Sequence, residues 1–137
     1  MTDMTIKLRG IPDTKACVGW AGGHSVVVDR PEGKAGGQGL GFNGGQLLGL
    51  ALGGCFCNDL YYVAEEMGIA LTAVAVDVTV TFEGKPLLAT AAALAVSIEA
   101  ADKNADLDLL LGRAGAVSTV ANSVTQGFPV RVSAART

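Results

Sequence analysis

The chain has 137 residues, 50% of them hydrophobic and 17% charged, and 10 Lys+Arg against 13 Asp+Glu leave a net charge of −3. That length suits a single domain over residues 1–137 with ample apolar content for a core, and the composition excludes disorder. The acidic balance and the lack of any Lys/Arg run argue against nucleic-acid or polybasic membrane partners, while the low charged share predicts apolar surface set against another subunit.

At the N-terminus Asp3, Lys7 and Arg9 interrupt the first ten residues, which does not read as a signal peptide. Thr5–Arg9 alternates, Ile6 and Leu8 against Lys7 and Arg9, and predicts a half-buried strand. Ala16–Trp20 and Ser25–Asp29 read as a strand pair joined by the turn Ala21-Gly22-Gly23-His24. Pro31 stops the pairing. Between Gly33 and Gly45 seven of thirteen residues are glycine, and no regular structure is expected there.

Gln46–Met67 reads as one long helix ended by Gly68. Its first half, Leu47–Cys57, is apolar all round and should be buried on every side, with a partner subunit helping to cover it. That stretch is shorter than the roughly 20 residues a membrane span needs, so a soluble, cytoplasmic protein with reduced cysteines is expected. Three interior glycines (Gly49, Gly53 and Gly54) cost about 1 kcal/mol each against alanine, which close approach of another backbone would offset.

A long hairpin follows. Val74, Val76, Val78, Val80 and Phe82 face one way, Glu83-Gly84-Lys85-Pro86 turns the chain, and Leu94, Val96 and Ile98 alternate back. Asn104 is a good N-cap for a second helix with Leu107, Leu111, Ala114, Ser118 and Ala121 on one stripe. Gly127 and Pro129 end that helix, and Val130–Val132 predicts a short last strand. Strands, long helix, hairpin, helix, strand, without repeated βαβ units, make an α+β fold.

Gly39-Leu40-Gly41-Phe42-Asn43-Gly44 matches G-x-G-x-x-G. A dinucleotide fingerprint needs a strand directly before it and an acid ending the next strand; here the strand ends too early and Asp59 lies inside a helix, so the loop reads as a flexible pocket wall. A metal set of His24, Cys55, Cys57 and Asp59 fails because Cys55 and Cys57, two apart on a helix, diverge by about 200°. No metal and no cofactor are expected. Cys55 is a possible nucleophile, against the plainer reading of a buried inert thiol. It lies too far past the helix start for the helix N-terminus to activate it, so activation needs a cation: His24, Arg30 or Arg113. Asp59 and Tyr62 share its helix face, where packing and solvation are the ordinary roles.

The stretch Gly41-Phe42-Asn43-Gly44-Gly45-Gln46-Leu47-Leu48-Gly49-Leu50-Ala51-Leu52-Gly53-Gly54-Cys55 resembles the family of osmotically inducible protein C and organic hydroperoxide resistance protein, whose members carry an ELL-x-x-A-x-x-x-C-like helix after a glycine-rich approach. Ser118-Thr119-Val120-Ala121-Asn122-Ser123-Val124, followed by Phe128-Pro129-Val130, is similar to the family's second block, CPVSNSL before a V-x-V strand. Gly22-Gly23-His24 with Val28-Asp29-Arg30-Pro31 is similar to its approach strand. The resemblance implies antiparallel sheets with a long central helix and a second helix, an intertwined homodimer, and sites at the subunit interface.

It also implies a peroxidase. In active members one cysteine attacks the peroxide O–O bond, a second resolves the sulfenic acid as a disulfide, and an arginine and a glutamate hold the thiolate ready. By this resemblance Cys55 takes the peroxidatic position, Ser118 the resolving one, Gln46 that of the glutamate, and Arg30 that of the arginine. A hydroxyl cannot form a disulfide. The resemblance therefore implies a hydroperoxide reductase that draws on an external thiol, with Cys17 or Cys57 as resolvers only if the fold brings them close. A dimeric protein holding an apolar ligand, with Ser118 and Gln46 lining its pocket, is the alternative. A purely structural dimer that docks a protein through its glycine-rich loop is a third.

Overall fold

The computed structural model describes residues 1–135. Its contacts group into two compact units, Met1–Leu48 and Gly49–Thr137.

In the first unit β1 (Lys7–Gly10), β2 (Cys17–Ala21) and β3 (His24–Val28) form an antiparallel meander in the order β1-β2-β3. Ala21 pairs with His24, so the turn is only Gly22-Gly23, and Gly22 takes φ 57° as a two-residue hairpin loop requires. β1 starts two residues later than its alternation predicts and is exposed throughout, Leu8 by 50%. The reason is its place at the sheet edge, where it pairs with β2 alone. Arg9 lies over the Trp20 ring, 5.8 Å from its centroid.

From Gly33 to Asn43 the glycine-rich segment forms no helix or ladder, as its composition predicts, apart from one parallel bridge between Val28 and Phe42, but Gly44 and Gly45 belong to the helix that follows. Instead of a flexible wall it is a pinned loop: the buried Asp29 carboxylate accepts the backbone N–H groups of Arg30 (2.7 Å), Gln38 (3.0 Å) and Leu40 (3.0 Å). Two of its glycines are explained by close backbone approach. A Cβ at Gly37 would stand 2.6 Å from the Pro31 carbonyl oxygen, and one at Gly41 would overlap the Val27 carbonyl.

Helix α1 (Gly44–Glu66) begins two residues before its predicted start because Asn43 and Gln46 cap it reciprocally. Gln46 N–H donates to Asn43 Oδ1 (2.9 Å) and Asn43 N–H to Gln46 Oε1 (3.0 Å). At the other end Gly68 adopts φ 67°, and the N–H groups of Gly68 and Ile69 close on the carbonyls of Glu65 and Ala64. By length and composition the whole 23-residue helix would suffice to cross a membrane, although Leu47–Cys57 alone is too short. One face of it packs in the core of the second unit, through Phe56, Leu60, Val63 and Ala64.

In the second unit β4 (Leu71–Glu83) and β5 (Leu88–Ala100) form the predicted hairpin, with Val74 opposite Ile98, Val76 opposite Val96 and Val78 opposite Leu94. This face packs on α1 and α2 (Leu107–Val117), around Phe56, Leu60, Val63, Ala64, Leu110 and Ala114. A register irregularity at Thr81/Phe82 interrupts the alternation. One chain covers only one face of α1: Leu50, in the Leu47–Cys57 half expected to be buried with the help of a partner subunit, is exposed, as are Tyr61 and Tyr62 beyond that half. Of its interior glycines, Gly53 is pressed on β4, where a Cβ would stand 2.7 Å from Val78 Cγ2, whereas Gly54 faces open space.

The single predicted second helix is two: α2 and α3 (Thr119–Gln126), parted by Ser118 with ψ 108°. Asn122 makes the break tenable. Its Nδ2 donates to the carbonyls of Gly115 (3.2 Å) and Ala116 (3.3 Å), left free where α2 ends, and to that of Ser118 (2.7 Å), which also accepts the Asn122 N–H (3.1 Å). The N-cap of α2 is Asp106, whose Oδ1 accepts from Leu109 N–H (3.0 Å); Asn104 instead turns the chain, its N–H donating to Asp102. The predicted strand Val130–Val132 is absent. The two valines are 78% and 95% exposed, and no strand among the described residues pairs with them.

Candidate functional site

Cys55 lies on α1 where its buried stripe meets its exposed face, and is half-buried. One helical turn on, Asp59 projects from the same side, and the Cys55 thiol donates to Asp59 Oδ2 at 3.6 Å. The break between α2 and α3 delivers the third member. Ser118 is fully buried there, and its Oγ donates to Cys55 Sγ at 4.0 Å. Residues 63 positions apart thus form a thiol–carboxylate–hydroxyl cluster.

Asp59 is only 9% exposed. Among the described residues the thiol is its one hydrogen-bond partner, and no Lys, Arg or His pairs with it. Its i+4 spacing from Cys55 was the available signal, but a carboxylate on that face reads in sequence as solvation. In the fold it is nonetheless buried.

The other predicted site residues are held by local partners. Arg30, just past β3, donates from Nη2 to the Lys15 carbonyl and to Asp29 Oδ1 (3.2 Å), with its side chain 43% exposed. Its Nε is buried without a partner among the described residues. The Asp29 carboxyl beside it is lowered to about 2, first by the Leu40 N–H, then, against the opposing effect of burial, by the N–H groups of Gln38 and Arg30 and the Arg30 side chain. Gln46 is committed to the α1 capping box. His24 is exposed on β3 and Arg113 on α2, while Cys17 and Cys57 are half-buried free thiols.

Among the described residues no group of three or more His, Cys, Asp or Glu could hold a metal ion. An open groove of about 470 Å³ in the first unit is lined by Asp13, Thr14, Lys15, Gly36 and Gln38, and carries no nucleophilic thiol. Nucleophilic chemistry therefore has its best-equipped position at Cys55, where a hydroxyl donor and a carboxylate acceptor meet one sulfur.

Comparison with known proteins places the fold. Residues 36–133 match the family profile described as OsmC-like protein. No curated protein matches the chain. Among solved structures, an OsmC-like protein from Mycoplasma pneumoniae superposes with a TM-score of 0.76 at 15% identity, covering 90% of this chain and 88% of that one. An organic hydroperoxide resistance protein OsmC from Legionella pneumophila gives 0.64 at 20% identity, covering 90% of each. The organic hydroperoxide resistance protein OhrB of Bacillus subtilis gives 0.56 at 18% identity, covering 89% of this chain and 90% of that one.

Proposed function

Because the chain belongs to the OsmC-like protein family, we propose that it is a cytoplasmic, homodimeric reductase of organic hydroperoxides that works through Cys55 and is recycled by an external thiol. The thiolate of Cys55 attacks the O–O bond of ROOH; the sulfur takes one oxygen as sulfenic acid, and the departing alkoxide leaves with a proton as ROH. Ser118 offers no sulfur, so an external thiol R′SH condenses with the sulfenic acid, releasing water. A second R′SH then frees the Cys55 thiol and leaves as R′SSR′.

The observation that carries this reading is the Cys55 Sγ–Ser118 Oγ approach of 4.0 Å, which joins the two sequence blocks that resemble the family. In this reading Ser118 keeps the hydrogen-bonding role of the second position and Gln46 positions α1 through its cap. Thiolate attack needs a positive charge, a role that the family resemblance alone gives to Arg30, whose guanidinium in this chain bonds Asp29 and the Lys15 carbonyl. Homodimerisation is supported by the uncovered face of α1 and by the hairpin, whose residues 81–93 are all exposed.

Consumption of cumene hydroperoxide with dihydrolipoamide or dithiothreitol tests the proposal. Wild type should turn over and Cys55→Ser should fall to background; equal rates in the two proteins would end it. A second reading, a dimeric protein that shelters an apolar ligand, draws support from the carboxylate at Cys55 where a cation would be wanted. It predicts a thiol that resists alkylation at neutral pH and is shielded further by a bound lipid-like molecule; fast alkylation counts against it.

A further inference from the structure

We infer that Asp59 guards the oxidised form of Cys55, accepting a hydrogen bond from its sulfenic acid and keeping it protonated so that a second peroxide does not carry it on to sulfinic acid. This rests on the peroxidase reading above and concerns what happens after the first oxygen is transferred.

The geometry is specific. Asp59 is 9% exposed and, among the described residues, has the Cys55 sulfur as its sole hydrogen-bond partner, at 3.6 Å. An S–O bond of about 1.7 Å and a charge-assisted O–H···O contact of about 2.7 Å span that separation with an angle of about 110° at the new oxygen, close to the natural direction of its hydrogen. A sulfenic oxygen on Cys55 can therefore give its proton's hydrogen bond to Asp59 Oδ2 without movement of the helix. An ionised carboxylate accepts and cannot donate, so the same contact becomes repulsive once the sulfenic acid loses its proton.

Among the described residues no Lys, Arg or His pairs with Asp59, and the charges of its own unit do not cancel that repulsion. On the hairpin, Asp77 and Glu99 lie on the side turned away from α1; on α2, Asp108 and Arg113 are exposed; α3 carries no charged residue. Further along α1 only Glu65 and Glu66 follow, both exposed.

The chemistry makes the charge decisive. Overoxidation is the reaction of the sulfenate anion, Cys55–SO⁻, with ROOH to give Cys55–SO₂⁻ and ROH; the peroxide is reduced by two electrons and the sulfur oxidised by two. In a protein with a resolving thiol, disulfide formation would outrun this step. Here Ser118 meets the sulfur with a hydroxyl. The sulfenic acid must wait for a thiol from solution, and its protonation state sets how safely it waits. A like charge this close changes the ionised fraction of an acid by about tenfold or more.

The test treats wild type, Asp59→Asn and Asp59→Glu with excess cumene hydroperoxide and limiting dihydrolipoamide. Mass spectrometry then counts Cys55 sulfinate against dimedone-trapped sulfenic acid across about pH 5 to 9. Asp59→Asn should form about tenfold more sulfinate per sulfenic acid at neutral pH, with its profile displaced toward lower pH by about one unit. Asp59→Glu, which keeps the charge, should recover most of the protection. Equal sulfinate fractions and superimposable pH profiles in wild type and Asp59→Asn would overturn the inference while leaving the peroxidase reading intact. If Asp59→Asn does not fold, Asp59→Ser takes its place with the same expected outcomes. Absence of any dimedone adduct in wild type would sink the peroxidase reading, and the guard with it.

Discussion

Ser118 and Cys55 stand 4.0 Å apart with a hydroxyl where a second sulfur would complete a redox pair. Replacing that hydroxyl should restore the pair. After one equivalent of hydroperoxide, Ser118→Cys should lose two titratable thiols per chain and gain a disulfide to Cys55 on a non-reducing peptide map; persistence of a dimedone-reactive sulfenic acid would refute it. Asp29 is the second informative residue. Its folded value of about 2 lies below the ordinary 3.8, so the carboxylate's contribution is present above pH 3.8 and is lost as pH falls through about 2. Protection of the Gln38 and Leu40 amides, taken as the ratio of intrinsic to observed hydrogen-exchange rate, should therefore fall in that acid window. In Asp29→Asn it should be low already at neutral pH and should not fall further on acidification.

At the scale of elements, α1 carries a built-in contrast between two adjacent glycines. Gly53→Ala drives a methyl group toward Val78 and should destabilise the fold by about 1–3 kcal/mol in denaturant unfolding. Gly54→Ala meets open space in this chain and should raise helix stability by up to about 1 kcal/mol. If Gly54→Ala instead abolishes self-association, that position is where a second copy packs. Removing the cap with Asn43→Ala should cost about 1 kcal/mol, since the Gln46 N–H loses its Oδ1 acceptor while the backbone N–H of residue 43 still reaches Gln46 Oε1. The α2–α3 break shows why pattern reading stops short: Ala114, Ser118 and Ala121 continue one helical stripe across it. At that break the Asn122 side chain bonds to the Gly115 and Ala116 carbonyls of the last turn of α2.

For the whole molecule the outstanding feature is apolar surface without cover in one chain. Leu50, Tyr61 and Tyr62 on α1, the outer half of the hairpin, and Phe128, Val130 and Val132 beyond α3 are all exposed. Sedimentation should accordingly report twice the 13.8 kDa chain mass, and Tm should rise with protein concentration, because association stabilises by mass action. A Tm independent of concentration together with a monomer mass would contradict this. Val130→Asp and Val132→Asp should shift the equilibrium toward monomer if the alternating tail finds its strand partner on a second copy.

Local signals were enough for much of this architecture. The period-two run from Val74 to Val80, the Gly68 stop and the Gly22-Gly23 turn act through neighbouring φ/ψ angles and side-chain alternation, so they are legible in the sequence by itself. Cys55 could be singled out the same way. Its surroundings could not: the burial of Asp59, the approach of Ser118 and the choice of Gly53 over Gly54 as the close contact depend on elements distant in the chain. Tertiary structure decided those, because a carboxylate's neighbours and solvent are set by what packs over it, and no periodicity along α1 encodes that.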